Sequence, residues 1–199
     1  SQRALELSPD VTPMEKDLIN ALSMRHPSSA APTNFDDWTN AYADAMRIVL
    51  KKYPEDPDVS ALLAEAVISR TPWKLWDLNS GKPTDGASTL EAKDVLEKAI
   101  ANVEFKGTHP HAGLLHYYIH VMEMSPTPEA ALRAGDIMRT LVPDCGHLLH
   151  MPTHIDFQCG NYNDVVERNS EAIESDKKVI ARDGNLNLFA GSVIHNIHF

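Results

Sequence analysis

Along most of the chain, apolar residues recur three and four positions apart, the spacing that lines one face of a helix. Alternating apolar and polar runs closed by hairpin turns are not found. A first helix is predicted over Pro13–Met24, where Thr12-Pro13-Met14-Glu15 supplies an N-cap, a proline at the first helical position and an early acid, and Met14, Leu18 and Leu22 form the stripe. Arg25–Asn34 reads as a Pro/Ser-rich loop. Asp36 or Asp37 is the expected cap of the next helix, which runs to about Tyr53 on Trp38, Tyr42, Ala45, Met46, Val49 and Leu50. Pro54 and Pro57 are read as its stop, and Asp58 as the start of a helix over Val59–Arg70 with Leu62, Leu63, Ala66 and Val67 inward.

The segment Thr71–Ser88 loses the helical period and reads as a long inserted loop, with Trp73 and Trp76 as packing anchors. Helices resume over Leu90–Val103, from Pro110 and Gly113 to about Met124, over Pro128–Leu141 behind a second Thr-Pro-Glu start, over Gly146–Gln158, over Asn161–Ile180 and from Asn185 to Phe199. Pro152 removes a backbone donor inside the Gly146–Gln158 helix and is expected to kink it. The fold class is therefore all-α. The opening SQRALELSPD lacks a Met and resembles the tail of a helix under way, and HNIHF stops in mid-pattern, so the expectation is a single domain over residues 1–199, incomplete at both ends.

Composition narrows the function classes. Of 199 residues, 43% are hydrophobic, as in ordinary globular chains, and no run approaches the roughly 20 apolar residues of a membrane span. A formal net charge of −10 argues against a nucleic-acid partner and suits a groove that attracts cations. Two cysteines, Cys145 and Cys159, are too few for a disulfide framework or a metal knuckle; they favour a reducing, cytoplasmic setting. Nucleophile elbow, P-loop and dinucleotide fingerprints are missing, which removes simple serine hydrolases and nucleotide-binding enzymes.

The chemistry lies in the histidines, nine of whose ten fall between positions 109 and 198. His116/His120 and His150/His154 are each four apart, so each pair shares a helix face. The pairs are offset by 34 residues, the period of a tetratricopeptide helix-turn-helix repeat. His147 adds a third imidazole to the second helix and Glu123 a carboxylate to the first, while His195 and His198 repeat the spacing of His147 and His150.

Three strings, HYYIHVME (His116–Glu123), HLLHMPTHI (His147–Ile155) and HNIHF (His195–Phe199), together resemble a group of bacterial and fungal tetratricopeptide-like proteins of little known function. The resemblance implies an α-solenoid, a right-handed superhelix of helix pairs with a His-lined cavity. It places His147, His150 and His154, and one repeat earlier His116, His120 and Glu123, on groove-lining positions. It names no substrate.

Neutral imidazole is the commonest transition-metal ligand, and pairs at i, i+4 deliver two donors from one rigid helix. The candidate ligands are His116, His120, His147, His150, His154, His195, His198 and Glu123, with Tyr117, Tyr118 and Glu123 as candidate catalytic groups. Three protein ligands leave coordination positions open for water or a small-molecule substrate. Copper or iron redox chemistry, with zinc hydrolysis beside it, is one reading. The other is a non-catalytic tetratricopeptide groove whose histidines contact a peptide or protein partner. His109 and His111 are expected to cap or pack, His26 to be solvated, Asp156 to lie on the surface, both cysteines to be structural thiols, and Met122, Met124 and Met151 to belong to the core.

Overall fold

The computed structural model describes residues 2–28 and 34–199, with residue 188 described in its backbone only. It divides into two compact units, residues 1–107 and 108–199. Among the described residues the regular structure is helical apart from one hairpin of two two-residue strands. No helix among them is long and apolar enough to cross a membrane.

The first unit holds α1 (Gln2–Leu7), α2 (Pro13–Arg25), α3 (Phe35–Lys52), α4 (Pro57–Ile68) and α5 (Thr89–Phe105), and from α2 to α5 each helix packs on the next in sequence. The expected start of α2 is a full capping box. The Thr12 hydroxyl accepts from the Glu15 amide at 3.3 Å, and the Glu15 carboxylate accepts from the Thr12 amide at 2.8 Å. The next two starts differ from expectation. Asn34, rather than Asp36 or Asp37, caps α3 by accepting from the Asp36 amide. Asp56 caps α4, so Pro57 is the first residue of that helix rather than the stop of the one before. Part of the expected Pro/Ser loop, residues 29–33, lies outside the described residues.

Tyr42, Met46, Val49, Val59, Leu63, Val67 and Leu96 form the core of this unit. In the insert, Trp76 is buried where β1 (Trp76–Asp77) pairs with β2 (Lys82–Pro83), as an anchor should be. Trp73 is not an anchor: it is 83% exposed, at a left-handed turn with φ 57°.

The second unit holds α6 (Ala112–Met122), a 3-10 turn (Pro128–Ala131) leading into α7 (Leu132–Leu141), α8 (Gly146–His150), α9 (Pro152–Cys159), α10 (Tyr162–Asp183) and α11 (Leu188–His198). The Thr127 side chain does not cap, and the expected Pro128 helix begins as that tighter turn. Pro152 splits the second His helix into α8 and α9, as its missing donor requires. α10 is the spine: α8, α9 and α11 all pack on it, while α6 and α7 pack on α9. Ile119, Met122, Met138, Met151 and Ile155 are fully buried between them.

Asp156 is a correction. It is 2% exposed, and its Oδ2 lies 3.1 Å from Nη1 of the equally buried Arg168. That oxygen is misaligned for a hydrogen bond, so the contact is an ion pair. Burial raises the Asp156 pKa and the nearby Arg168 charge opposes the rise.

Candidate metal centre

The position of each histidine follows from which helix face is apolar. On α6, Leu114, Leu115, Tyr118, Ile119, Val121 and Met122 take the core side, which leaves His116 and His120 one turn apart on the opposite side. His111 starts this helix, its Nδ1 accepting from the Leu114 amide at 3.2 Å, so it caps as expected. The break at Pro152 does not separate His150 from His154: the Met151 carbonyl still accepts from the His154 amide, and the two Nε2 atoms lie 2.9 Å apart.

The imidazoles gather in two groups. His116, His120 and His147 form one triad, and His150, His154 and His195 the other; in each, the prospective ligand atoms lie within 4.8 Å of one another. His116 Nε2 is 3.1 Å from His147 Nε2, and His195 Nε2 is 3.1 Å from His150 Nε2. These separations match a coordination shell. Two bonds of about 2.0–2.1 Å meeting at about 90–110° put their nitrogens about 2.9–3.4 Å apart. Each triad could hold a metal ion.

Glu123, the residue that follows α6, sits between the triads. Its Oε1 is 3.3 Å from His120 Nδ1 and its Oε2 is 2.6 Å from His154 Nδ1. Burial raises the pKa of this carboxyl, but the hydrogen bonds from His120 and His154 outweigh it and bring the value down to about 2, so the group is ionised. A carboxylate only accepts, so both Nδ1 atoms donate. His150 Nδ1 likewise donates to Asn169 Oδ1 at 2.6 Å. His120, His150 and His154 therefore each carry a proton on Nδ1, the orienting contact found behind histidines that bind a metal through Nε2.

The consequence is sharpest in the second triad. There His150 Nε2 lies 2.9 Å from His154 Nε2 and 3.1 Å from His195 Nε2. Ring nitrogens that converge this closely share either a proton or a cation. His150 itself is a poor place for an added proton. Burial, assisted by neighbouring imidazoles, pushes His150 down to about 3 even against the favourable Asn169 bond. Burial with the nearby His120 and His147 holds His116 at about 3, and His147 is lowered for the same reasons.

The structure thus brings six of the seven candidate histidines into two groups: His147 joins the His116/His120 pair, and His195 joins His150/His154. His198 is exposed and belongs to neither triad. Glu123 belongs to neither triad, and both its oxygens are turned to Nδ1 atoms of histidines. The Tyr117 ring lies 4.7 Å from that of His116, whereas Tyr118 is buried in the core of the second unit. Met122 and Met151 are fully buried core residues, and both cysteines are free thiols.

Two contributors escaped sequence reasoning. Asn169 sits among polar residues of α10 and carries no motif; its role depends on α10 crossing behind His150. Phe199 packs its ring 4.7 Å from His154 and 5.1 Å from His150, walling the second triad. Compared with known proteins, the chain matches no family model, no curated protein and no solved structure.

Proposed function

We propose that this protein is a metal-dependent oxidoreductase acting on a small molecule, with a transition metal in each of the triads His116/His120/His147 and His150/His154/His195. The observation that carries the reading is the convergence of three ring nitrogens within 4.8 Å in each triad, with Glu123 and Asn169 orienting three of the six imidazoles from behind. Three nitrogen donors per site, with no thiolate or carboxylate among them, suit copper or iron, with zinc as the lesser choice. Such a metal supplies an open coordination position and, if copper or iron, one-electron steps. The protein's own part is to hold the ligands in one tautomer, to keep the sites against a dry core, and to offer Tyr117 beside the first triad as a substrate contact.

The scaffold in this reading is tetratricopeptide-like in the second unit. Its support is that α6 and α8 begin 34 residues apart, at Ala112 and Gly146, and that the 3-10 start at Pro128 and α10 at Tyr162 are offset equally.

The test is metal analysis of the purified protein with thermal melts of wild type, His150→Ala and His26→Ala, each with and without chelator. The expected result is two ions per chain and a chelator-sensitive stabilisation, about 2.7 kcal/mol when free metal is a hundred times its Kd. His26→Ala keeps that shift and His150→Ala loses most of it. A wild type that carries no metal, shows no shift and captures peptides makes the groove a binding module instead.

A further inference from the structure

Resting on the two-site reading above, we infer that Glu123 is a positioning residue shared by both metal sites, one that sets the tautomer of one ligand in each. The sites are therefore linked through a single side chain, and the chemistry of its two terminal atoms decides which of them works.

A neutral imidazole has one N–H and one lone pair, so fixing the proton on Nδ1 frees Nε2 for a metal. Glu123 does this twice, once for His120 and once for His154. Its side chain is only 14% exposed, which leaves little room for water to take over either contact. Its backbone is tied to the last turn of α6, the amide donating to the Ile119 carbonyl at 2.8 Å, so the carboxylate stays between the triads.

Glutamine has the same shape but not the same valence. Its amide offers one oxygen, which accepts, and one NH2 group, which donates. An imidazole facing the NH2 must present a lone pair at Nδ1 and carry its proton on Nε2, where the metal has to bind. The contact to His154, at 2.6 Å, is much tighter than that to His120, at 3.3 Å. The oxygen therefore stays with His154, and the NH2 falls to His120. The second triad keeps its tautomers, with His150 held independently by Asn169. The first triad loses a ligand.

Alanine removes both contacts but forces neither imidazole into the wrong tautomer. Each site then loses only an orienting partner, which weakens metal binding about 10- to 100-fold. For the first site the expected order of affinity is Glu, then Ala, then Gln. A merely structural role for Glu123 gives the opposite order for the variants, because Gln preserves shape and Ala does not.

The experiment is titration of the metal-stripped full chain with cobalt(II). Ligand-field absorption counts the sites, metal content is measured after desalting, and far-ultraviolet circular dichroism monitors the fold. Wild type is expected to take two ions, Glu123→Gln one at near wild-type affinity, and Glu123→Ala two, both bound about 10- to 100-fold more weakly. Two ions bound by Glu123→Gln at wild-type affinity overturns the inference, as does a first site bound more tightly by Gln than by Ala. Should Glu123→Gln not fold, Glu123→Ala still decides: weakening at both sites upholds the sharing, and weakening at one refutes it. A wild type that binds no cobalt overturns the metal reading itself, an outcome distinct from all of these.

Discussion

Gly146→Ala probes the packing that places the second triad. Gly146 is the first residue of α8, the short helix that carries His147 and His150, and it is buried against α10. A Cβ built there comes within 2.7 Å of all three terminal atoms of the Asp176 carboxyl group, well inside any real carbon contact. Asp176 is 1% exposed and short, so it has nowhere to swing; α8 must back away from α10. Overpacking of this kind costs about 1–3 kcal/mol, from which up to about 1 kcal/mol is recovered because alanine is the better helix former. The net loss of about 1–2 kcal/mol lowers the urea midpoint by about 0.5–1 M at an m-value near 2 kcal/mol/M. Gly191→Ala on α11 is the internal control. Nothing lies within 4 Å of its added Cβ, so the same substitution there is expected to stabilise by about 0.5–1 kcal/mol. Because the clash is wholly with the Asp176 side chain, Asp176→Ala in the Gly146→Ala background is expected to restore most of the loss, a strong non-additivity. The Asp176 Oδ1 has no hydrogen-bond partner and burial raises the group's pKa, so what removing the carboxyl forfeits is the long 3.4 Å bond that Oδ2 accepts from the Asn196 side-chain amide. A Gly146→Ala protein as stable as Gly191→Ala refutes the reasoning.

Two further outcomes are expected. The metal-stripped protein loses stability as pH falls. His116 and His150 have folded pKa values near 3 against about 6.5 unfolded, so between those values the unfolded chain binds protons that the folded chain refuses. The contribution is intact above pH 6.5 and declines by up to about 1.4 kcal/mol per pH unit for each imidazole below it. Urea unfolding at pH 7.5, 6.5 and 5.5 measures this, and a flat profile contradicts the burial. Asp156→Ala leaves the Arg168 guanidinium, whose side chain is 4% exposed, with Asp136 as its remaining partner. The expected loss lies at the lower end of the roughly 3–5 kcal/mol for breaking a buried pair, read by the same denaturation, and a change under 1 kcal/mol refutes it.

How much was legible in the sequence follows from the range of each interaction. Helices, the Thr12 cap, the break at Pro152 and the pairing of His116 with His120 and of His150 with His154 depend on contacts within one or two turns, so residue spacing determined them. Spacing also marked His147 and His195 as candidates, but not the triad each would join. His147 meets His116 across 31 residues and His195 meets His150 across 45, and those meetings depend on how α8 and α11 lie against their neighbours. Glu123 read as a ligand because a carboxylate one turn from a histidine can be either ligand or orienting partner. Only the tertiary structure brings His154 Nδ1 from another helix to 2.6 Å from the Glu123 Oε2, the contact on which the orienting reading rests. Asp156 read as surface for a related reason: a charged residue is buried only when a partner comes with it, and Arg168 arrives from α10. A sequence states which groups can donate, accept or ligate. The direction in which one helix presents them to another is a property of packed side chains, and the tertiary structure alone decided it.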